Sequence, residues 1–474
     1  MRYSHDVIVI GAGAGGLTAA GGCAMLGLKV ALVERGEMGG DCLNSGCVPS
    51  KALIAAAHRA HEFRHSAHLG IADAQPRVDY GAVHAHIHGA IATIAPVDSQ
   101  ERFEEMGCEV LRGEARFLGP KRMAVKLADG EREISAPRIV LAVGGKPFVP
   151  PVEGIDQIPY LTNESLWALT ELPEHLIVLG GGPIGMEMAQ SFRRLGSVVT
   201  VVTKGRPFPK DDSDAATIAI ERLKAEGMDI ITNAEAKAVS AESEGICLTL
   251  DNGDTVSGSH LLVATGRTTD FSALDLEKAG VRHNRHGIIV DRRRRTSARH
   301  IYAIGDCRPG PHFTHASGYE GGNVVMEIGF GIPAKADYRA LPWVTYVDPE
   351  LGQVGMTEAA ARKKHGGRVS VWREDFSHND RAIAEGDTAG FVKIVRVGSK
   401  VVGGTVVGRH AGDLLLPIAM MIKGAAKPFA LASLILPYPN RSEHLKAAAF
   451  ASEEHKVFNR WTRRWAKLLA KLRW

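Results

Sequence analysis

Cysteine is scarce, with six in 474 residues. That excludes a disulfide-built scaffold and leaves any close cysteine pair to be explained by catalysis or by metal. Long apolar runs are missing as well. No stretch approaches the roughly 18 unbroken apolar residues of a membrane span. The N-terminal MRYSHDVIVIGAG passes almost at once into a strand pattern, without the basic, apolar and small-residue regions of a secretory signal. The expected location is cytoplasmic. A dominant charge sign is absent too. The formal net charge is +4, yet residues 456–474 hold seven Lys and Arg and no Asp or Glu, which leaves the remainder at −3. A mildly acidic body excludes the broad basic surface of a nucleic-acid binder and confines any electrostatic partner to the tail.

What the chain does have is an internal repeat, within a length that suits about three domains. Residues 5–16, HDVIVIGAGAGG, place an apolar strand before Gly11, Gly13 and Gly16, and a helix and a second strand ending at Glu34 follow. Strand, glycine loop and helix in that order form a dinucleotide-binding βαβ unit. The glycines let backbone approach a pyrophosphate at the helix N-terminus, and Glu34 is placed to bind a ribose hydroxyl. The pattern returns 169 residues later as HLIVLGGGPIGMEMAQSFRRLGSVVTVVT, with Gly180, Gly182 and Gly185 at matching offsets. Two dinucleotide sites are therefore expected. The counterpart of Glu34 is the uncharged Thr203, followed by Lys204 and Arg206. A neutral site with basic neighbours suits a 2′-phosphate, so NADPH is expected, with NADH still open. Each unit closes on a strand and a small-residue turn, IVLAVGGKP and LLVATGRTT, whose Gly144 and Gly266 are counted with the cofactor sites.

Between the first unit and a long helical stretch lies GGDCLNSGCVPSK, with Cys42 and Cys47. On an ideal helix, positions five apart rise about 7.5 Å, beyond the roughly 7 Å Cα limit for a disulfide, so the segment must be irregular. Gly39, Gly40 and Gly46 supply that freedom, and Pro49 suits the first turn of the next helix. Zinc is the rival reading, but no second cysteine pair exists to complete such a site. His61 and His65 have the spacing of a helical metal pair without an evident third ligand and are read as a solvated face. No metal site is expected. Cys307 is read as a small buried hydrophobe, and the run Arg292–Arg295 as an exposed loop.

The motif GGDCLNSGCVPSK, the two glycine units, TSARHIYAIGDC and PWVTYVDPELGQVGMTE together resemble the class I pyridine nucleotide-disulfide oxidoreductases, the family of glutathione reductase, dihydrolipoamide dehydrogenase and mercuric reductase. The resemblance spans nearly the whole chain. It implies an α/β fold with two Rossmann-like domains, one for FAD (1–150 and 268–338) and one for NAD(P) (151–267). A C-terminal α+β dimerisation domain (339–454) and a basic tail helix (455–474) would follow. It also implies a homodimer in which NADPH reduces FAD and FAD reduces a Cys42–Cys47 disulfide. By the same resemblance Cys47 faces the flavin and Cys42 attacks the substrate. Lys51 lies near the flavin N5, Glu187 pairs with Lys51, and Asp306 holds the ribityl chain.

One motif departs from the family's disulfide reductases. Those carry a C-terminal histidine five residues before a glutamate, reaching the partner subunit's cysteines as acid and base. This chain has YPNRSE, with Tyr438 at the histidine position and Glu443 after it. Tyrosine titrates near pH 10 and cannot readily shuttle protons at neutral pH. Mercuric reductase resembles this arrangement, although its C-terminal vicinal cysteines and N-terminal CxxC domain are not in this sequence. The expected acceptor is a disulfide, a quinone-like compound or a thiol-bound metal. Mercuric reductase, dihydrolipoamide dehydrogenase and a low-turnover redox sensor stand as alternatives. In the tail, Trp461, Trp465, Leu468, Leu469 and Leu472 form one apolar stripe flanked by Lys and Arg, suited equally to peripheral contact with an anionic membrane and to docking on its own dimer.

Overall fold

The computed structural model describes residues 3–243 and 245–472. They gather into two compact units, one of residues 1–61, 77–204 and 230–336 and the other of 62–76, 205–229 and 337–474. In the first unit, the apolar run Val7–Ile10 is buried on both faces, as a near-continuous hydrophobic strand must be in a parallel sheet. It lies at the centre of five strands in the order Ile301–Ala303, Arg138–Leu141, Val7–Ile10, Val30–Glu34, Cys108–Arg112. Every pairing is parallel, with Val7 opposite both Val30 and Arg138. The helix Ala14–Met25 packs between this sheet and the helix Thr314–Phe330.

The repeat is structural as well as sequential. A second sheet orders Asp229–Thr232, Val198–Thr203, His175–Leu179 and His260–Val263, with the last two strands parallel and Leu176 opposite His260. Both glycine loops meet the same steric demand. Gly11 and Gly180 adopt φ of +99° and +124°, and a Cβ on either would lie 2.4 Å from a carbonyl oxygen, that of Ala142 or Ala264. At Gly16 and Gly185 a Cβ would sit 1.8 and 2.1 Å from the carbonyls of Gly11 and Gly180, so only glycine lets helix and strand approach this closely.

The second unit is an α+β layer. Five antiparallel strands run in the order Pro342–Thr345, Leu351–Gly355, Lys400–Val407, Phe391–Val397, Val369–Asp375, with the helices Leu415–Lys423 and Ser442–Ala451 against them. The helix Ser213–Ala225 belongs to this unit, and a buried cation ties it in. Lys393, 2% exposed, bonds Asp212 at 3.0 Å, Asp214 at 2.8 Å and Glu358 at 3.1 Å. A desolvated ammonium needs such compensation, and here the carboxylates hold its pKa above the ordinary lysine value despite burial.

Of the arginine run expected as an exposed loop, only Arg292 is exposed. Arg294 is buried near Glu320, and Arg293 and Arg295 both bond Glu327, Arg293 at 2.8 Å. These acids lie on the helix Thr314–Phe330, out of sight of local composition. Cys307 is fully buried, and burial raises its thiol to about 12. The tail consists of a one-turn helix, Glu454–Val457, and a separate helix, Arg460–Leu472. Residues 473 and 474 of the expected tail helix lie outside the described residues.

Candidate active site

The redox segment resolves its spacing problem by breaking. Cys42 lies in a short helix, Gly40–Asn44, and Cys47 opens a long one, Cys47–Arg64, with Ser45 and Gly46 between them. Gly39 and Gly40 take the left-handed φ values of +88° and +58° that start the first helix, and Pro49 falls in the opening turn of the second. Both cysteines are free thiols, Cys47 exposed and Cys42 half-buried. The two thiols act on each other, and that interaction divides their acidities. The Cys42 S–H donates to Cys47, which is the main reason the Cys47 thiol falls to about 6. The Thr314 hydroxyl, 3.3 Å away, and the Lys51 ammonium lower it further against the opposing effect of burial. Cys42, as donor to that thiolate and partly buried, is pushed well above an ordinary thiol.

Lys51 is one helical turn beyond Cys47, and its Nζ donates to Glu187 Oε2 at 2.8 Å. Glu187 is 6% exposed and sits in the helix Pro183–Leu195, which begins at the second glycine loop. One ion pair therefore joins the redox helix to the helix that opens the second nucleotide site.

Several roles are carried by residues that sequence reasoning missed. Arg267, beside the expected Gly266, bridges Asp306 at 3.1 Å, the carbonyl of Gly145 at 2.8 Å, and Asp41, the residue before Cys42. It fastens the Asp306 segment to the short helix that carries Cys42. The only sequence signal is an arginine in the turn that closes the second glycine repeat. Thr314 carried no signal at all, since the topology alone brings it to Cys47.

Gly13 and Gly182 are the N-caps of their helices, and neither helix has a side-chain cap. A Cβ at Gly182 would meet nothing within 4 Å, and one at Gly13 only the Cα of Gly40 at 4.0 Å. Open space at an uncapped helix start fits a pyrophosphate in both places. Glu34 accepts hydrogen bonds from the Ala12 N–H at 2.5 Å and the Gly36 N–H at 2.7 Å, so its carboxylate stands at the mouth of the first loop. Gly144 and Gly266 take φ of +68° and +137° at the turns that close the two units.

On the second nucleotide site, Thr203 is buried at its strand end, and Lys204 pairs with Glu235 at 2.7 Å. The basic character expected at Lys204 is thus shared with a carboxylate. Arg206, in the other unit, donates to the Ser213 carbonyl at a long 3.4 Å. Tyr438 and Glu443 are not partnered with each other. Tyr438, 71% exposed, donates its hydroxyl to Asp380 at 2.7 Å, which raises its pKa, while Glu443 accepts the Asn440 N–H at 3.2 Å. Asp380 is a further partner that the sequence did not reveal.

Two dinucleotide loops, a dithiol with one acidic thiol and an antiparallel C-terminal layer define a flavin-linked disulfide oxidoreductase. Comparison with known proteins agrees: residues 5–321 match the pyridine nucleotide-disulphide oxidoreductase model and residues 341–449 that family's dimerisation domain, and the chain belongs to this family. It is 34% identical to a mercuric reductase of Streptomyces lividans over 463 residues, covering 96% of this chain and 98% of that one. It is 33% identical to a dihydrolipoyl dehydrogenase of Geobacillus stearothermophilus over 453 residues, covering 94% and 95%. Among solved structures, LpdA of Mycobacterium tuberculosis superposes with a TM-score of 0.87 at 29% identity, covering 94% of this chain and 99% of that one. A Cu(II) complex of the HOCl-induced flavoprotein disulfide reductase RclA of Escherichia coli gives 0.85 at 27% identity, covering 95% and 100%. Family members use FAD and NAD(P)H, and the dimerisation domain supports a homodimer. No helix among the described residues is long and apolar enough to cross a membrane.

Proposed function

We propose that the chain is an NADPH-dependent flavoprotein that uses the Cys42–Cys47 couple to reduce a thiol-bound soft metal ion such as Hg²⁺. FAD is assigned to residues 1–150 and 268–338, the nicotinamide nucleotide to 151–267, and the subunit interface to 339–454. The observation that carries the reading is Tyr438, which stands where the family's disulfide reductases have histidine and whose proton is committed to Asp380. A group so placed is a poor proton shuttle at neutral pH. Its hydroxyl oxygen keeps lone pairs free for an electrophile, and thiolates bind soft metals without needing a base.

Bound FAD would supply the passage of two electrons from nicotinamide to sulfur. The protein residues do the rest. In NADPH + disulfide giving NADP⁺ + thiol + thiolate, the two electrons break the Cys42–Cys47 bond, the one proton ends on Cys42 and the charge stays on Cys47. Cys42 chiefly, with Thr314 and Lys51, favours the Cys47 thiolate, and Cys42 keeps its proton until it displaces a thiol from the metal. The net reaction NADPH + Hg²⁺ → NADP⁺ + H⁺ + Hg⁰ then balances in two electrons.

An anaerobic panel with Hg²⁺ in excess thiol, lipoamide, glutathione disulfide and a quinone tests the reading. Fastest NADPH oxidation with Hg²⁺ is expected. Faster turnover with lipoamide contradicts it and favours a dihydrolipoamide dehydrogenase, and negligible turnover with every acceptor favours a redox sensor. In the same assays Tyr438→His should raise lipoamide or glutathione disulfide reduction by at least about tenfold. No gain would mean that Tyr438 does not limit disulfide reduction.

The nucleotide preference has its own test. Lys204→Ala should raise KM for NADPH about tenfold and leave KM for NADH unchanged, since one lost phosphate contact is worth about 1.4 kcal/mol. Glu235→Gln, which frees Lys204 from its ion pair, should lower KM for NADPH. Equal changes for both nucleotides would show that Lys204 does not read the 2′-phosphate.

A further inference from the structure

The helix Arg460–Leu472 lies beyond both family models, the second of which ends at residue 449. It is a separate element, because the chain leaves helical conformation at Phe458 and Asn459 starts it again, its side-chain oxygen accepting the Trp461 and Thr462 N–H groups at 2.9 and 3.1 Å. Every residue of it is exposed. A helix of thirteen residues is marginal in water even with good propensity, and here Arg460 and Arg463 crowd the positive end of its own dipole. Such a helix needs a surface to lie on.

Its two faces describe that surface. At about 100° per residue, Trp461, Trp465, Leu468, Leu469 and Leu472 fall within one arc of roughly 100°. They leave 77%, 61%, 47%, 42% and 69% of themselves to solvent. Arg460, Arg463, Arg464, Lys467 and Lys471 occupy a separate arc, with no carboxylate anywhere in the helix. A protein partner would have to offer acids at matched, fixed points. A bilayer carrying anionic headgroups offers mobile negative charge across its whole plane, an apolar layer at the depth of leucine, and an interface where tryptophan is favoured.

We propose that the helix Arg460–Leu472 docks the enzyme on the surface of an anionic phospholipid bilayer, lying in the interface without crossing it. The inference does not depend on the identity of the electron acceptor.

The test is co-sedimentation of the full-length, FAD-loaded protein with extruded vesicles. One set is of phosphatidylcholine alone, the other contains about one third phosphatidylglycerol. Binding to the anionic vesicles is expected to be at least about tenfold tighter, to weaken about tenfold when salt is raised from roughly 0.1 to 0.5 M, and to shift tryptophan emission to the blue. Trp465→Glu and Lys467→Glu/Lys471→Glu should each weaken it about tenfold while NADPH turnover with a soluble acceptor stays unchanged, showing that the enzyme body is intact. Failure to bind anionic vesicles at low salt, or full binding by both variants, overturns the proposal. So does dimer dissociation on deletion of residues 458–474 without any loss of vesicle binding, which would assign the helix to the second copy of the chain.

Discussion

Cys47→Ser is expected to lower NADPH-driven reduction of every acceptor served by the dithiol by about 10³-fold or more, as loss of a chemically reacting group does. Reduction of the bound flavin by NADPH, followed as bleaching under anaerobic conditions, should survive. Cys42→Ala should lower acceptor turnover as severely but differ in one respect. It removes the hydrogen bond that chiefly sustains the Cys47 thiolate, so the pH midpoint for alkylation of Cys47 should climb from about 6 toward the ordinary thiol range. A partner that stabilises the charged form of a thiol lowers its pKa, and removal of that partner raises it. If the midpoint stays near 6 in Cys42→Ala, Lys51 and Thr314 are the main source of the acidity and the division of roles between the cysteines is wrong.

Lys51→Met carries the second large effect. The charge of this lysine lowers the Cys47 pKa, and the lysine is held in place by the buried Glu187. Its loss should raise the Cys47 midpoint by about one pH unit and cut acceptor turnover near pH 6 by about 10²-fold, since thiolate population and electrostatic stabilisation of the reduced site fall together. Glu187 would then be a buried carboxylate without its ammonium partner, which is costly. The double variant Lys51→Met/Glu187→Gln should therefore recover thermal stability relative to Lys51→Met without recovering activity. Recovery of activity as well would show that the lysine charge contributes nothing beyond pairing.

Much of this architecture could be read from the chain because its signals are local. Gly11, Gly13 and Gly16, with their copies 169 residues on, announce themselves because only glycine tolerates the steric demand at such a loop. The cysteine pair shows by spacing alone that its segment cannot be one helix. The residues that escaped are those whose meaning depends on partners far along the chain. Arg267 joins Asp41 across 226 positions, and Thr314 meets Cys47 across 267. Arg292–Arg295 looked like solvated charge because nothing nearby in sequence indicates that Glu320 and Glu327 will face them. Lys204 and Tyr438 stand out in the sequence, but their partners Glu235 and Asp380 do not, and those partners decide what each group can do.

The most direct test of the central claim counts thiols. The chain has six cysteines, and only Cys42 and Cys47 are assigned to redox exchange. As isolated in air and denatured without reductant, the protein should titrate four thiols per chain, and after anaerobic treatment with NADPH all six. Cys47→Ser should titrate the same number before and after. Six thiols in the air-oxidised wild type, or four that NADPH does not change, would contradict the assignment of Cys42 and Cys47 as the couple through which electrons leave the flavin.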